Sequence, residues 1–335
     1  MISNGTAEQG PDKQIQTIAI IGASGYIGRH LVEELRRLGG YRIKLLSRSY
    51  DASQINASHD ANVEIFKGDL QEPESLVDFF ERNCTVINLA YLWDAGEEVN
   101  LAVTANLIAA CKAGKVKRLI HCSTAAVVGR VVDDFITEDT PCQPVTEYGM
   151  TKLKIEQAII RASQGYFDVT ILRPTAVFGL GGDPLKKLAK DIVAGNRLSN
   201  YLKSCLFGER RMNLVPVANL VGAIIFSIHH EKDFGGEIFI VSDDDNPINN
   251  FAAVEKFLMK EFRIDEYVIP RIHFPLGLLA FLLRIMGRNN INPRCNYDSG
   301  KLRRIGFERV VTFETALVEY AAWYRSAGQL RNVVA

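Results

Sequence analysis

Tyr148-Gly-Met-Thr-Lys152 sets a phenol and an amine four residues apart, and in a helix that spacing brings both side chains to one face. A free tyrosine titrates near pH ~10, too high for easy proton transfer at neutrality. An ammonium group beside it favours the phenolate and is expected to bring that value down. The pair therefore reads as an acid/base with its activating cation. Thr124 lies 24 residues upstream, at the end of an apolar run, and its hydroxyl suits it to hold a substrate oxygen. Alternation along a strand turns the neighbouring Ser123 to the opposite face. Thr124, Tyr148 and Lys152 are the expected catalytic set, with Thr124 and Tyr148 also in contact with substrate.

A second constellation supplies a partner for this chemistry. Gly22-Ala-Ser24-Gly25-Tyr26-Ile27-Gly28 joins a short β-branched run at 17–21 to a helical pattern at 26–38. Glycines so placed allow a tight turn, close backbone approach to a pyrophosphate and close helix-strand packing, with the helix N-terminus facing the anion. The segment reads as a dinucleotide turn, and Lys152 would then also donate to the ribose beside the nicotinamide. At the end of the next strand an acidic residue would hydrogen-bond the adenosine ribose and select NAD. Here the run is Leu45-Leu-Ser47-Arg48-Ser-Tyr50, with Asp51 further out. Arg48 is suited to pair with a 2′-phosphate, so NADP is favoured over NAD.

The elements that must position these groups alternate regularly. Strand signals fall at 17–21, 42–47, 63–67, 85–90, 118–123 and 168–173, and helix signals at 26–38, 72–80, 97–113 and 147–163. Near-continuous apolar strands alternating with helices imply a Rossmann-like, doubly wound parallel sheet covered on both faces. In such sheets ligands bind beyond the carboxyl ends of the strands, where both constellations fall. After about residue 174 the rhythm loosens, with strand pieces at 214–217 and 237–241 among helices. The expected division is a tail at 1–14, a dinucleotide domain at 15–174 and a smaller substrate lobe at 175–330, interleaved with the sheet.

Composition narrows the partners. Lys plus Arg and Asp plus Glu each number 39, which argues against a nucleic-acid binder and leaves a small molecule. The six cysteines show neither metal-knuckle nor redox-pair spacing, so they read as reduced thiols of a cytoplasmic protein, with no metal site. Residues 1–14 are polar, carry no signal-peptide core and read as a disordered tail. The apolar stretch at 274–286 is too short to span a bilayer. It reads as a buried helix, or else as a wall of an apolar pocket or a surface touching a membrane.

Together these segments resemble the extended short-chain dehydrogenase/reductases of the epimerase/dehydratase type, with some features of 3β-hydroxysteroid dehydrogenases, over roughly residues 15–326. The similarity rests on the glycine turn, Gly68-Asp69-Leu70, Asn88-Leu89-Ala90, Ser123-Thr124, the Tyr148/Lys152 pair and Arg173-Pro174-Thr175. It implies that Asp69 and Leu70 contact adenine, that Leu89 and Ala90 border the cofactor, and that Pro174 and Val177 line the nicotinamide. It also implies NAD(P)-dependent hydride transfer at a secondary alcohol or ketone, and by analogy a homodimer. Sugar 4,6-dehydratases of this family carry an Asp-Glu pair directly after the threonine. Here Ala125 and Ala126 stand there, which argues against dehydration. Arg210 and Arg211 are the expected diphosphate contacts, which favours a nucleotide-sugar epimerase or ketosugar reductase. Val215-Pro-Val-Ala-Asn219 and the 274–286 stretch keep a steroid-like apolar alcohol open, and a non-catalytic NADP sensor is the reading of another class.

Overall fold

Apolar strands too short to stand alone and amphipathic helices of three or four turns must cover one another. The computed structural model, which describes residues 15–49, 60–130, 132–285 and 291–326, shows how they do so. In chain order the first half runs β1 (Gln16–Ile21), α1 (Tyr26–Leu38), β2 (Tyr41–Ser47), β3 (Val63–Lys67), β4 (Thr85–Asn88), α2 (Glu97–Ala113), β5 (Arg118–Cys122), β6 (Phe135–Ile136), α3 (Glu147–Ser163) and β7 (Asp168–Pro174). The second half runs β8 (Ala176–Phe178), α4 (Lys186–Ala194), α5 (Arg197–Phe207), β9 (Leu214–Pro216), α6 (Val217–His229), β10 (Glu237–Val241), α7 (Phe251–Glu261), α8 (Leu276–Ile285), β11 (Asn296–Tyr297), α9 (Gly300–Arg304) and α10 (Phe313–Ser326).

Seven strands form one parallel sheet in the order β10-β7-β5-β4-β1-β2-β3. Its strand order reverses between β1 and β4, the crevice where doubly wound sheets take ligands. Alternation along β1 splits its side chains. Ile18 and Ile20 enter the core under α1 and α6, while Ala19 and Ile21 enter the core under α2 and α3. A third core joins α4, α7 and α10 through Leu188, Leu258 and Leu317. The last strand of the main sheet, β10, is supplied from beyond residue 230, and two small parallel pairs, β8 with β9 and β6 with β11, tie the second half to the strand ends.

Two expectations change. The helix expected at 72–80 is a single 3-10 turn at Pro73–Leu76. The Ser75 hydroxyl accepts from the Asp69 amide at 2.8 Å and donates to the Glu72 carbonyl at 2.7 Å, an alternative to helical pairing, and Asp78 then takes a left-handed φ of 68°. The 274–286 stretch is not a buried helix: α8 buries Leu279 and Leu283 but leaves Leu278, Phe281, Leu282 and Ile285 exposed. The tail at 1–14, Tyr50, Asp51, Met286 and the end of the 175–330 segment lie outside the described residues.

Candidate active site

The turn after β1 is shaped by backbone demands. Gly22 has φ +84°, and a Cβ there would meet the Ala90 amide at 3.0 Å. At Gly28 a Cβ would lie 2.3 Å from the Gly22 carbonyl, so only glycine lets α1 start this close to β1. Gly25 caps α1 without a side-chain hydrogen bond, and the first turn holds no acidic residue. The helix therefore presents unneutralised amides and the positive end of its dipole.

That helix end faces a cavity of about 650 Å³. Gly22, Ser24, Gly25, Tyr26, Ile27 and Gly28 form its floor. Arg48, exposed at the end of β2, lines one end with Asp69 and Leu70, and Leu89 and Ala90 line the middle. Ala90 is held from beneath, its amide donating to Asn88 Oδ1 at 3.1 Å. Tyr148 and Lys152 close the other end beside Cys122 and Ser123. An elongated groove with an uncapped helix N-terminus at its floor, and a buried Ser123 hydroxyl without a partner, fits a dinucleotide.

Tyr148 enters from the first turn of α3, which Thr146 caps by accepting from the Gly149 amide at 3.1 Å. One turn on, the buried Lys152 donates from Nζ to the Cys122 carbonyl at 2.8 Å. The expected lowering of the phenol is not found. Burial pushes Tyr148 up to about 12, the neighbouring Cys122 thiol adds to this, and the Thr124 hydroxyl, hydrogen-bonded to it, acts the other way. Burial also lowers the Lys152 ammonium from its usual value. Beneath them, Arg173 and Glu156 form a buried pair at 2.6 Å that fastens α3 to β7.

Thr124 opens onto a second cavity, of about 430 Å³, which it lines with Ala125, Ala126, Pro174, Arg210 and Arg211. Its Oγ1 also accepts from the Ala126 amide at 3.2 Å. Pro174 thus borders this cavity instead of the groove. Val177 lines neither cavity: it packs against the core shared by β7 and α6. Ser123 and Thr124 face different cavities, as alternation requires. Arg211 is anchored, its amide donating to the Pro293 carbonyl at 2.9 Å and its guanidinium to the Asn246 carbonyl at 3.3 Å. Glu209, a neighbour in sequence, pairs with His273 at 3.2 Å.

Three aromatic residues that the sequence reading did not place in the site also border these cavities. Tyr91 and Trp93 follow β4 at its carboxyl end and line the groove, and Tyr297 lines the second cavity. The signal for the first two was in plain view: two aromatic residues directly after a strand whose end borders the crevice.

Comparison with known proteins bears on the family and the fold. A sequence model of the NAD dependent epimerase/dehydratase family matches residues 18–242. Among curated proteins, the mouse (Mus musculus) sterol-4-alpha-carboxylate 3-dehydrogenase, decarboxylating, is 28% identical over 284 residues, covering 80% of this chain and 74% of the relative. UDP-glucose 4-epimerase of Vibrio cholerae is 29% identical over 262 residues, 70% of this chain and 73% of the relative. Among solved structures, dTDP-glucose 4,6-dehydratase of Bacillus anthracis in complex with NAD superposes with a TM-score of 0.70 at 19% identity, covering 94% of this chain and 98% of that one. UDP-glucuronic acid 4-epimerase of Bacillus cereus, also with NAD, gives 0.68 at 17% identity, covering 94% and 98%. The structural likeness, at such identities, speaks for the fold.

Proposed function

The chain belongs to the NAD dependent epimerase/dehydratase family, and on that premise we propose that it performs hydride-transfer chemistry at a secondary alcohol or ketone of a nucleotide sugar, as an epimerase or ketosugar reductase and without dehydration. The observation that carries this reading is the junction of two cavities. Tyr148 and Lys152 end the groove, and Thr124 begins the cavity that holds Arg210 and Arg211.

A nicotinamide dinucleotide supplies or accepts the hydride when bound. The chain's own residues do the rest. The α1 N-terminus and glycine turn hold the pyrophosphate, Asp69 and Leu70 the adenine, and Lys152 the ribose. Thr124 holds the substrate oxygen, and Tyr148 gives it or takes from it a proton. Arg210 and Arg211 sit where a diphosphate would enter the second cavity. Ala125 and Ala126 line that cavity with methyl groups, which transfer no proton, and this supports a reaction without dehydration. Arg48, exposed at the ribose end of the groove, supports NADP over NAD. The same reading puts the protein in the cytoplasm as a homodimer packed through α2 and α3; half-exposed Val99 and Met150 on those helices support the contact, and light scattering checks it.

The test incubates the protein with UDP-glucose, GDP-mannose or dTDP-glucose and oxidised NADP, and in parallel with a 4-keto nucleotide sugar and NADPH, following reduced-nicotinamide absorbance and the sugar by chromatography. A new isomer without absorbance change marks an epimerase, and stoichiometric NADPH loss a reductase. A 4-keto-6-deoxy product contradicts the exclusion of dehydration.

A second reading, an apolar ring alcohol such as a sterol, is favoured by α8. Its outer face exposes Leu278, Phe281 and Ile285, and the preceding segment exposes Val268, Ile269 and Ile272. Residues 268–285 contain Arg271 and Arg284 but no acidic residue. No helix among the described residues is long and apolar enough to cross a membrane, so such a face would lie on a bilayer. Co-sedimentation with anionic vesicles, together with sterol oxidation, would support this reading over the first.

A further inference from the structure

Trp93 is 71% exposed, yet its indole lies almost parallel to the Tyr148 ring, with centroids 4.8 Å apart and an angle of 21°. Tyr91 meets both rings edge-on, at 4.9 Å from each, and the Lys152 ammonium lies 5.5 Å from the Tyr91 centroid. A single exposed aromatic residue is ordinary, but this one stacks on the candidate acid/base and borders the same end of the groove.

The backbone that carries Trp93 is pinned. Buried Asn100 accepts from the Leu92 amide at 3.0 Å. Its Nδ2 faces the carbonyls of Leu92, Ala95 and Gly96 at 3.0, 3.0 and 3.1 Å. The indole is thus presented by a fixed loop, and only side-chain rotation can move it off Tyr148. The indole covers one side of the phenol at that end of the groove.

We propose that Trp93 is a specificity-determining residue: its indole forms the wall beside Tyr148 against which the C–H face of a saturated six-membered ring packs. This inference rests on the assignment of Tyr148 as the acid/base. A polarised C–H face meets the electron-rich face of an indole favourably, and the contact excludes water from the phenol. Pyranose rings and fused alicyclic rings both offer such a face, so the inference covers both readings of the substrate.

The sequence has two tryptophans, and the other, Trp323, lies on α10 against Tyr320. In a Trp323→Phe background, Trp93 emission is the sole indole signal. With NADP present, the protein is titrated with UDP-glucose, with UDP alone, and with 5α-cholestan-3β-ol in cyclodextrin. The expected result is a spectral change with one of the two ring compounds and none with UDP. For that compound Trp93→Ala weakens binding roughly three- to tenfold, the size of an aromatic contact beyond its area, and Trp93→Phe restores most of it. A response to UDP-glucose supports the sugar, and a response to the sterol supports the apolar alcohol. Absence of response to both ring compounds, or unaltered affinity in Trp93→Ala, overturns the inference. Turnover that is lost in Tyr148→Phe but unchanged in Trp93→Ala would overturn the role of Trp93 while leaving that of Tyr148 standing.

Discussion

Lys152 Nζ donates to the Cys122 main-chain carbonyl at 2.8 Å, so the cation that follows Tyr148 by one helical turn is tethered to the end of β5. The tether holds the first turns of α3 against the sheet. Beside it, burial pushes Tyr148 up to about 12, and the Cys122 thiol adds to the shift.

This gives a pH dependence with a definite sign. In the ketone-reducing direction Tyr148 must be protonated, and it stays so well past neutrality. The value of kcat/KM for reduction is expected to show no loss from Tyr148 across neutral pH and to fall only as the phenol ionises towards pH 12. In the alcohol-oxidising direction the phenolate is required, so kcat/KM rises with pH over the same range. Initial rates in both directions between pH 6 and ~10 check it, a window that ends at the ordinary tyrosine value. A reductive rate already halved near neutrality would mean a much lower phenol pKa.

Cofactor choice turns on Arg48. NADPH is expected to bind more tightly than NADH, and Arg48→Ala to narrow the gap by ~1.5–3 kcal/mol, the worth of a hydrogen bond to a charged group. Calorimetry on parent and variant reads it directly. Equal affinities in the parent would contradict the assignment.

The buried Arg173–Glu156 pair, with a 2.6 Å contact, is expected to hold the Tyr148 helix in place. Removing one partner strands the other charge in the core, so Arg173→Met should cost ~3–5 kcal/mol in chemical denaturation. Replacing both residues with apolar ones should recover much of that loss. A single variant as stable as the parent would show that the pair does not hold the helix.

Much of this organisation can be read from residue types. The β1 run, the glycine turn and α1 fall where periodicity puts them because each is a local signal. Tyr148 and Lys152 share a face because a helix dictates it. What escaped depends on long-range geometry. Tyr91 and Trp93 meet Tyr148 only because β4 and β5 are neighbours in the sheet, which spacing along the chain does not encode. The phenol's acidity escaped because it is set by burial and by the neighbouring Cys122 and Thr124 side chains, none of which follows from four-residue spacing. Residues 72–80 misled because Ser75 satisfies the backbone locally, a competition that apolar periodicity does not register. α8 misled in the opposite sense: its composition suits a core, but the fold covers only the stripe of Leu279 and Leu283.

The central claim, that Tyr148 exchanges a proton with the substrate oxygen while Lys152 and the groove hold the dinucleotide, is tested most directly by Tyr148→Phe. Turnover of an accepted substrate is measured beside NADPH affinity by calorimetry. The account predicts turnover lowered by ~10²–10⁴-fold, the usual worth of general acid/base catalysis, with NADPH affinity kept close to the parent's. Turnover equal to the parent's, in a variant that still binds NADPH, would contradict it.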